Sequence, residues 1–161
     1  MAVELLETLA EGRIGHIGPV LVSVWYAPLT LRGLDTMARR HRELSARYGP
    51  KVTMVSIVQR LGSPPSPELR ERVAVELEAL KKQSIGDFVV LRAKGLGAII
   101  ARSFLATVAL LRGGGLVPMR VLKTAFEAGE EARRLPGQLP EIANDLLLGE
   151  ALEAFAALPP P

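Results

Sequence analysis

Residues Asp87 to Leu111, DFVVLRAKGLGAIIARSFLATVALL, restrict the fold more than any other stretch of this chain. Phe88, Val89, Val90 and Leu91 form a short, unbroken apolar run with β-branched members, and Gly95-Leu96-Gly97 punctuates it before a mostly apolar segment of helix length over residues 96–111. The order is strand, glycine turn, helix. A strand that does not alternate polar with apolar side chains needs cover on both faces, which places it inside a sheet and parallel to its neighbours. The helix after it is apolar nearly all round, through Ile99, Ile100, Phe104, Leu105, Val108, Leu110 and Leu111, so it requires deep burial or a partner.

The preceding chain prepares that unit. Arg13 to Ile17 and Val20 to Tyr26 read as an antiparallel hairpin broken at Gly18-Pro19, whereas Leu5 to Leu9 is too short to separate a helical turn from an edge strand. Leu31, Leu34, Met37, Ala38, His41, Leu44 and Tyr48 recur at helical steps, with Thr30 as a cap and Gly49-Pro50 as the stop. His41 falls at the boundary of that inner face. Lys51 to Val58 is a further strand, and Ser66-Pro67-Glu68 starts a helix whose seam is Leu69, Val73, Leu77 and Leu80. After the glycine-hinged unit come Gly113-Gly114-Gly115, a last strand Met119 to Leu122 and a short charged helix Ala125 to Leu135, in which Glu127, Glu130, Glu131, Arg133 and Arg134 pair along the surface.

Strands alternating with helices make this an α/β chain with a mixed, mostly parallel sheet of about five strands, flanked by helices and opened by one antiparallel edge strand. The length of 161 residues fits one domain. We divide it into an α/β part, residues 1–135, and a helical extension, residues 136–161, in which Glu141 to Leu158 forms one amphipathic helix before a proline tail. The extension is too apolar to stay free in solvent.

Several functions are disfavoured. With no cysteine there is no disulfide or thiolate metal site, and two histidines without nearby co-ligands do not make a metal centre. Net charge is only +3 and aromatic residues are 4%, so the cluster Arg39, Arg40, His41 and Arg42 reads as a solvated helix face and not as a nucleic-acid stripe. The glutamates of MAVELLETLAEG do not suit a signal peptide, and the apolar stretch from Leu96 is shorter than a bilayer span and contains Arg102, so a cytoplasmic chain without a transmembrane segment is expected. Ser103, His41 and Asp87 have the residue types of a triad, yet no G-x-S-x-G elbow surrounds the serine. No catalytic residue and no cofactor are assigned.

What remains is the turn itself. Gly95-x-Gly97 after a strand lacks the third glycine of a dinucleotide fingerprint, since Ile100 stands in its place. It leaves a helix N-terminus flanked by Arg92, Lys94 and Arg102, which suits an anion. Tight turning with the cations left in solvent accounts for the same residues. Trp25 and Tyr26 stand where a mouth at the carboxyl edge of the sheet would open, although a core or subunit-contact tryptophan is the simpler role.

Gly95-Leu96-Gly97-Ala98-Ile99-Ile100 resembles the glycine-leucine-glycine helix start of STAS domains, the fold of anti-sigma-factor antagonists. There an Asp-Ser-Ser run precedes the first glycine; here Arg92, Ala93 and Lys94 occupy those places. The order of elements over residues 12–135 is similar to the wider SpoIIAA-like group, related to STAS and CRAL-TRIO lipid-binding domains. This resemblance implies a non-enzymatic regulatory module that binds a protein partner, without the usual serine phospho-switch. On that reading Arg92, Lys94, Gly95, Gly97 and Arg102 form the partner- or anion-binding surface. Phe104, Val108, Leu111, Leu148, Leu152 and Phe155 are candidates for self-association into a homo-oligomer. The kinship with CRAL-TRIO domains also implies an alternative, a carrier or sensor of an apolar or phospholipid-like ligand held between the third helix and the sheet.

Overall fold

Among the described residues six strands cross one mixed sheet in the order in which they occur along the chain: β1 (Glu4–Thr8), β2 (Gly12–Ile17), β3 (Val20–Trp25), β4 (Val52–Val58), β5 (Ser84–Leu91) and β6 (Met119–Leu122). The coordinates are a computed structural model that describes residues 2–63, 65–95 and 119–161. The first three strands form an antiparallel meander, and β3 to β6 run parallel. The Phe88–Leu91 run therefore lies on an inner strand, paired with β4 on one side and β6 on the other.

Two strand boundaries differ from the sequence reading. The stretch Leu5 to Leu9 supplies the edge strand β1, so the first arm of the hairpin is interior and the sheet has six strands instead of about five. β5 starts at Ser84 and not at Asp87. Its opening residues include a bulge: Val52 faces Ser84 and Thr53 faces Gly86, leaving Ile85 as the extra residue. Serine and glycine beside a bulge do not read as a strand from sequence alone.

Helices cover both faces. On one lie α1 (Leu31–Tyr48) and α2 (Pro67–Lys81). Thr30 Oγ1 accepts from the Gly33 amide at 3.0 Å and Ser66 Oγ from the Leu69 amide at 3.2 Å, so each first turn is closed by the hydroxyl expected to cap it. Gly49, at φ +73°, ends α1 in a conformation that a side chain would resist. On the other face lie α3 (Ala125–Arg133), α4 (Pro140–Ala143) and α5 (Leu148–Ala156). The single helix expected over Glu141 to Leu158 is thus two. Between them the Asp145 carboxylate accepts from the Leu147 amide at 3.0 Å, a local turn that competes with the helix ladder.

Alternation along the strands sorts the core. Val20, Val22, Val24, Val55, Ile57, Phe88 and Val90 meet Ala125, Ala128, Ala132, Ile142, Leu148, Leu152 and Phe155 of the α3–α5 layer. Leu21, Trp25, Val52 and Met54 face α1 and α2 through Leu34, Met37, Ala38, Leu44, Leu69 and Leu80. Residues after 135 therefore belong to the same core as the sheet. Among the described residues no helix is long and apolar enough to cross a membrane.

Candidate functional site

The carboxyl rim of the parallel strands is where an open α/β sheet offers a ligand the ends of its strands and the starts of its helices. Trp25, Val58 and Leu91 lie side by side there, and the next residue of each strand, Tyr26, Gln59 and Arg92, continues the row. The backbone ladder runs on through it: the Gln59 amide donates to Trp25 O at 2.9 Å and the Arg92 amide to Val58 O at 3.0 Å.

The starts of α1 and α2 are already supplied with negative charge by the chain itself. Glu11, buried beside α1, accepts a hydrogen bond from the Thr30 hydroxyl that caps the helix. Its carboxylate lies against the first turn, since a Cβ built on Gly33 would stand 2.7 Å from Glu11 Oε1. In α2 the first turn carries Glu68. Neither end is an open seat for an external anion.

The turn after β5 differs. Lys94 and Gly95 are exposed, and Lys94 makes no hydrogen bond or ion pair with any described residue. Gly95 holds φ at +94°, and no atom of the described residues comes within 4 Å of the place a Cβ would take. Glycine is therefore required there by backbone conformation and not by crowding. Arg92, offered by the sequence for the same surface, is instead engaged: its guanidinium donates to the Glu153 carboxylate of α5, and the other oxygen of Glu153 accepts from the Phe126 amide at 3.1 Å. Gly97, Arg102, Phe104, Val108 and Leu111 lie outside the described residues.

The remaining self-association candidates are placed clearly. Leu148 and Leu152 are fully buried within this chain's own core, and Phe155 is nearly so. A shallow, mostly apolar groove of about 410 Å³ runs there, lined by Ala2, Val3, Leu147, Glu150, Ala151, Ala154, Phe155 and Leu158. The helix over residues 96–111, against which the apolar-ligand reading puts its cavity, lies outside the described residues.

Beneath α1 and α2 a buried polar chain was not visible in the sequence. His41 is no boundary residue but almost completely buried. Ser84 Oγ donates to Leu80 O at 2.9 Å, so its hydroxyl proton is used and His41 Nε2, 2.7 Å away, must donate to it. His41 Nδ1 is then the acceptor for Ser45 Oγ at 3.2 Å. The ring is neutral, and burial, helped by the charge of Arg42, holds its pKa down to about 4. Asp87 lies on the same sheet face, 3% exposed, with Oδ2 unpartnered among the described residues. Burial pushes its carboxyl up to about 6 against the opposing pull of Lys81. Trp25 is likewise a core residue, donating from Nε1 to Ser23 Oγ at 3.0 Å. His41 and Asp87 thus serve packing within the α1/α2 layer, and among the described residues no three metal-ligating side chains gather.

No protein-family model, curated protein or solved structure matches the chain. The rim geometry must carry the functional reading by itself.

Proposed function

We propose that this chain is a non-enzymatic regulatory interaction module of STAS-like type, which binds an acidic or phosphorylated segment of a protein partner at the turn after β5. The observation that supports it is the one exposed, positive-φ glycine turn next to an unpaired lysine among the described residues of the rim, at the end of an inner strand. Strands held on both sides present such a turn rigidly, and an ammonium group without a partner among the described residues is free of them to meet an incoming anion. A positive charge takes the place that phosphorylation would make negative in STAS domains, so the switch, if one operates, belongs to the partner.

The test compares Lys94→Glu with Lys82→Glu, an equally exposed cation just beyond α2 at the opposite end of the sheet. Proteins retained by the immobilised wild-type chain are identified, and their affinity for each purified variant is measured. Loss of about tenfold or more with Lys94→Glu alone supports the rim, in line with a charge-assisted contact of 1.5–3 kcal/mol, roughly. Equal affinity for both variants rejects it.

A further inference from the structure

The row of residues that ends the parallel strands does more than close the sheet. Tyr26 Oη donates to Leu158 O at 2.8 Å, Gln59 Nε2 donates to Ala156 O at 2.9 Å, and the Arg13 guanidinium, from β2, donates to Pro159 O. Gln59 thus holds the last carbonyl of α5, while Tyr26 and Arg13 hold the carbonyls of Leu158 and Pro159 where the chain runs out into Leu158-Pro159-Pro160-Pro161. Arg13 also lies over the Tyr26 ring, 5.5 Å from its centroid, so the aromatic face and the guanidinium brace each other.

The chemistry of this cradle is one-sided. It offers the segment hydrogen-bond donors and an aromatic ring, and three consecutive prolines offer back carbonyls and no N–H. The side chains of residues 158–161 stay exposed, so the hold on them is through the backbone and not through apolar burial. One donor remains unused. Arg13 is 8% exposed, yet its Nε finds no acceptor among the described residues.

We propose that Arg13 and Tyr26 form a reading site for an extended proline-rich segment, and that Leu158–Pro161 occupies it in cis as a built-in competitor for such a segment of a partner protein. Proline segments lose little conformational entropy on docking, which suits recognition by a few carbonyl contacts and an aromatic ring. The site is separate from Lys94.

The test uses the full chain with residues 158–161 replaced by Gly-Ser-Gly-Ser, its fold checked by circular dichroism, and the blocked peptide Ala-Leu-Pro-Pro-Pro as probe in titration calorimetry. The replaced chain is expected to bind the peptide, the natural chain to bind it at least about tenfold more weakly because its tethered segment is present at high effective concentration. Arg13→Met in the replaced chain is expected to abolish binding, and Ala-Leu-Ala-Ala-Ala to bind about tenfold less well than the proline peptide. No binding by the folded replaced chain, or equal binding of the two peptides, overturns the proposal and leaves a helix cap. Should the replaced chain fail to fold, Pro161→Cys in the otherwise natural, cysteine-free chain accepts a single spin label. Millimolar proline peptide then has to increase the label's mobility, and an unchanged spectrum rejects the site.

Discussion

The two faces of the sheet are held by different means. Under α3 and α5 contact is made by removing side chains: Ala125, Ala128 and Ala132 are completely buried, and at the crossing Gly129 meets Gly149 backbone to backbone. Under α1 and α2 the apolar layer is interrupted by the Ser45–His41–Ser84 chain and by Asp87. One face depends on close approach, the other on keeping buried polar groups neutral. Changes of volume should therefore damage the first and changes of pH the second.

The largest effect is expected at the glycine crossing. A Cβ on residue 129 would stand 2.5 Å from Gly149 Cα and 2.6 Å from its nitrogen, both backbone atoms that no rotamer change can move. Gly129→Ala must push α3 and α5 apart along their alanine-lined contact, and we expect it to cost roughly 3 kcal/mol by urea denaturation. Glycine to alanine inside an exposed helix would instead gain about 1 kcal/mol. A neutral or stabilising result would mean that the two helices are not locked.

The second effect is a pair of opposing slopes. Asp87 titrates near 6 in the fold against 3.8 ordinarily, so between about pH 4 and 6 the folded chain holds a proton the unfolded chain has released. Its contribution to stability falls as pH rises through that window, by about 3 kcal/mol in all. His41 titrates near 4 against 6.5, so the unfolded chain takes up a proton the folded chain refuses, and stability falls as pH drops from about 6.5 to 4, again by about 3 kcal/mol. Together they nearly cancel between pH 4 and 6. Asp87→Asn should leave a chain that weakens on acidification across this range, and His41→Gln one that strengthens. Parallel pH profiles for the wild type and both variants would show that neither group is buried as described.

This contrast also marks what the sequence could disclose. The inner strand, both hydroxyl caps and the helix α1 follow from local pattern, because apolar periodicity and capping chemistry act within a few residues. The edge strand β1 was undecidable, since five residues with two glutamates satisfy either period. The charged helix α3 was read from its glutamates and arginines, of which Glu130 does pair with Arg133 and Arg134 along the helix while Glu131 reaches across to Arg120 and Glu127 caps the first turn. Its functional side, Ala125, Ala128, Gly129 and Ala132 at helical spacing, looked featureless because small residues matter only opposite another backbone. At the rim, the exposed Lys94-Gly95 turn was legible. The pairing of Arg92 with Glu153, the bond of Gln59 to the last carbonyl of α5, and the grip of Arg13 and Tyr26 on the segment after it join residues far apart in the chain and leave no local trace.

The smallest effect separates a hydrogen bond's presence from its absence in the α1/α2 layer. Ser84→Ala removes the acceptor of the His41 Nε2 proton while leaving the ring in place, stranding a buried N–H and freeing Leu80 O; we expect a loss of about 2 kcal/mol at pH 7. His41→Leu together with Ser84→Ala removes donor and acceptor at once, and Ser45 can turn its hydroxyl back to the carbonyl one helical turn earlier. The double variant should therefore recover about 1 kcal/mol of the loss. If it is instead as unstable as the sum of its parts, the histidine contributes by its shape, and the two faces of the sheet are held by packing alike.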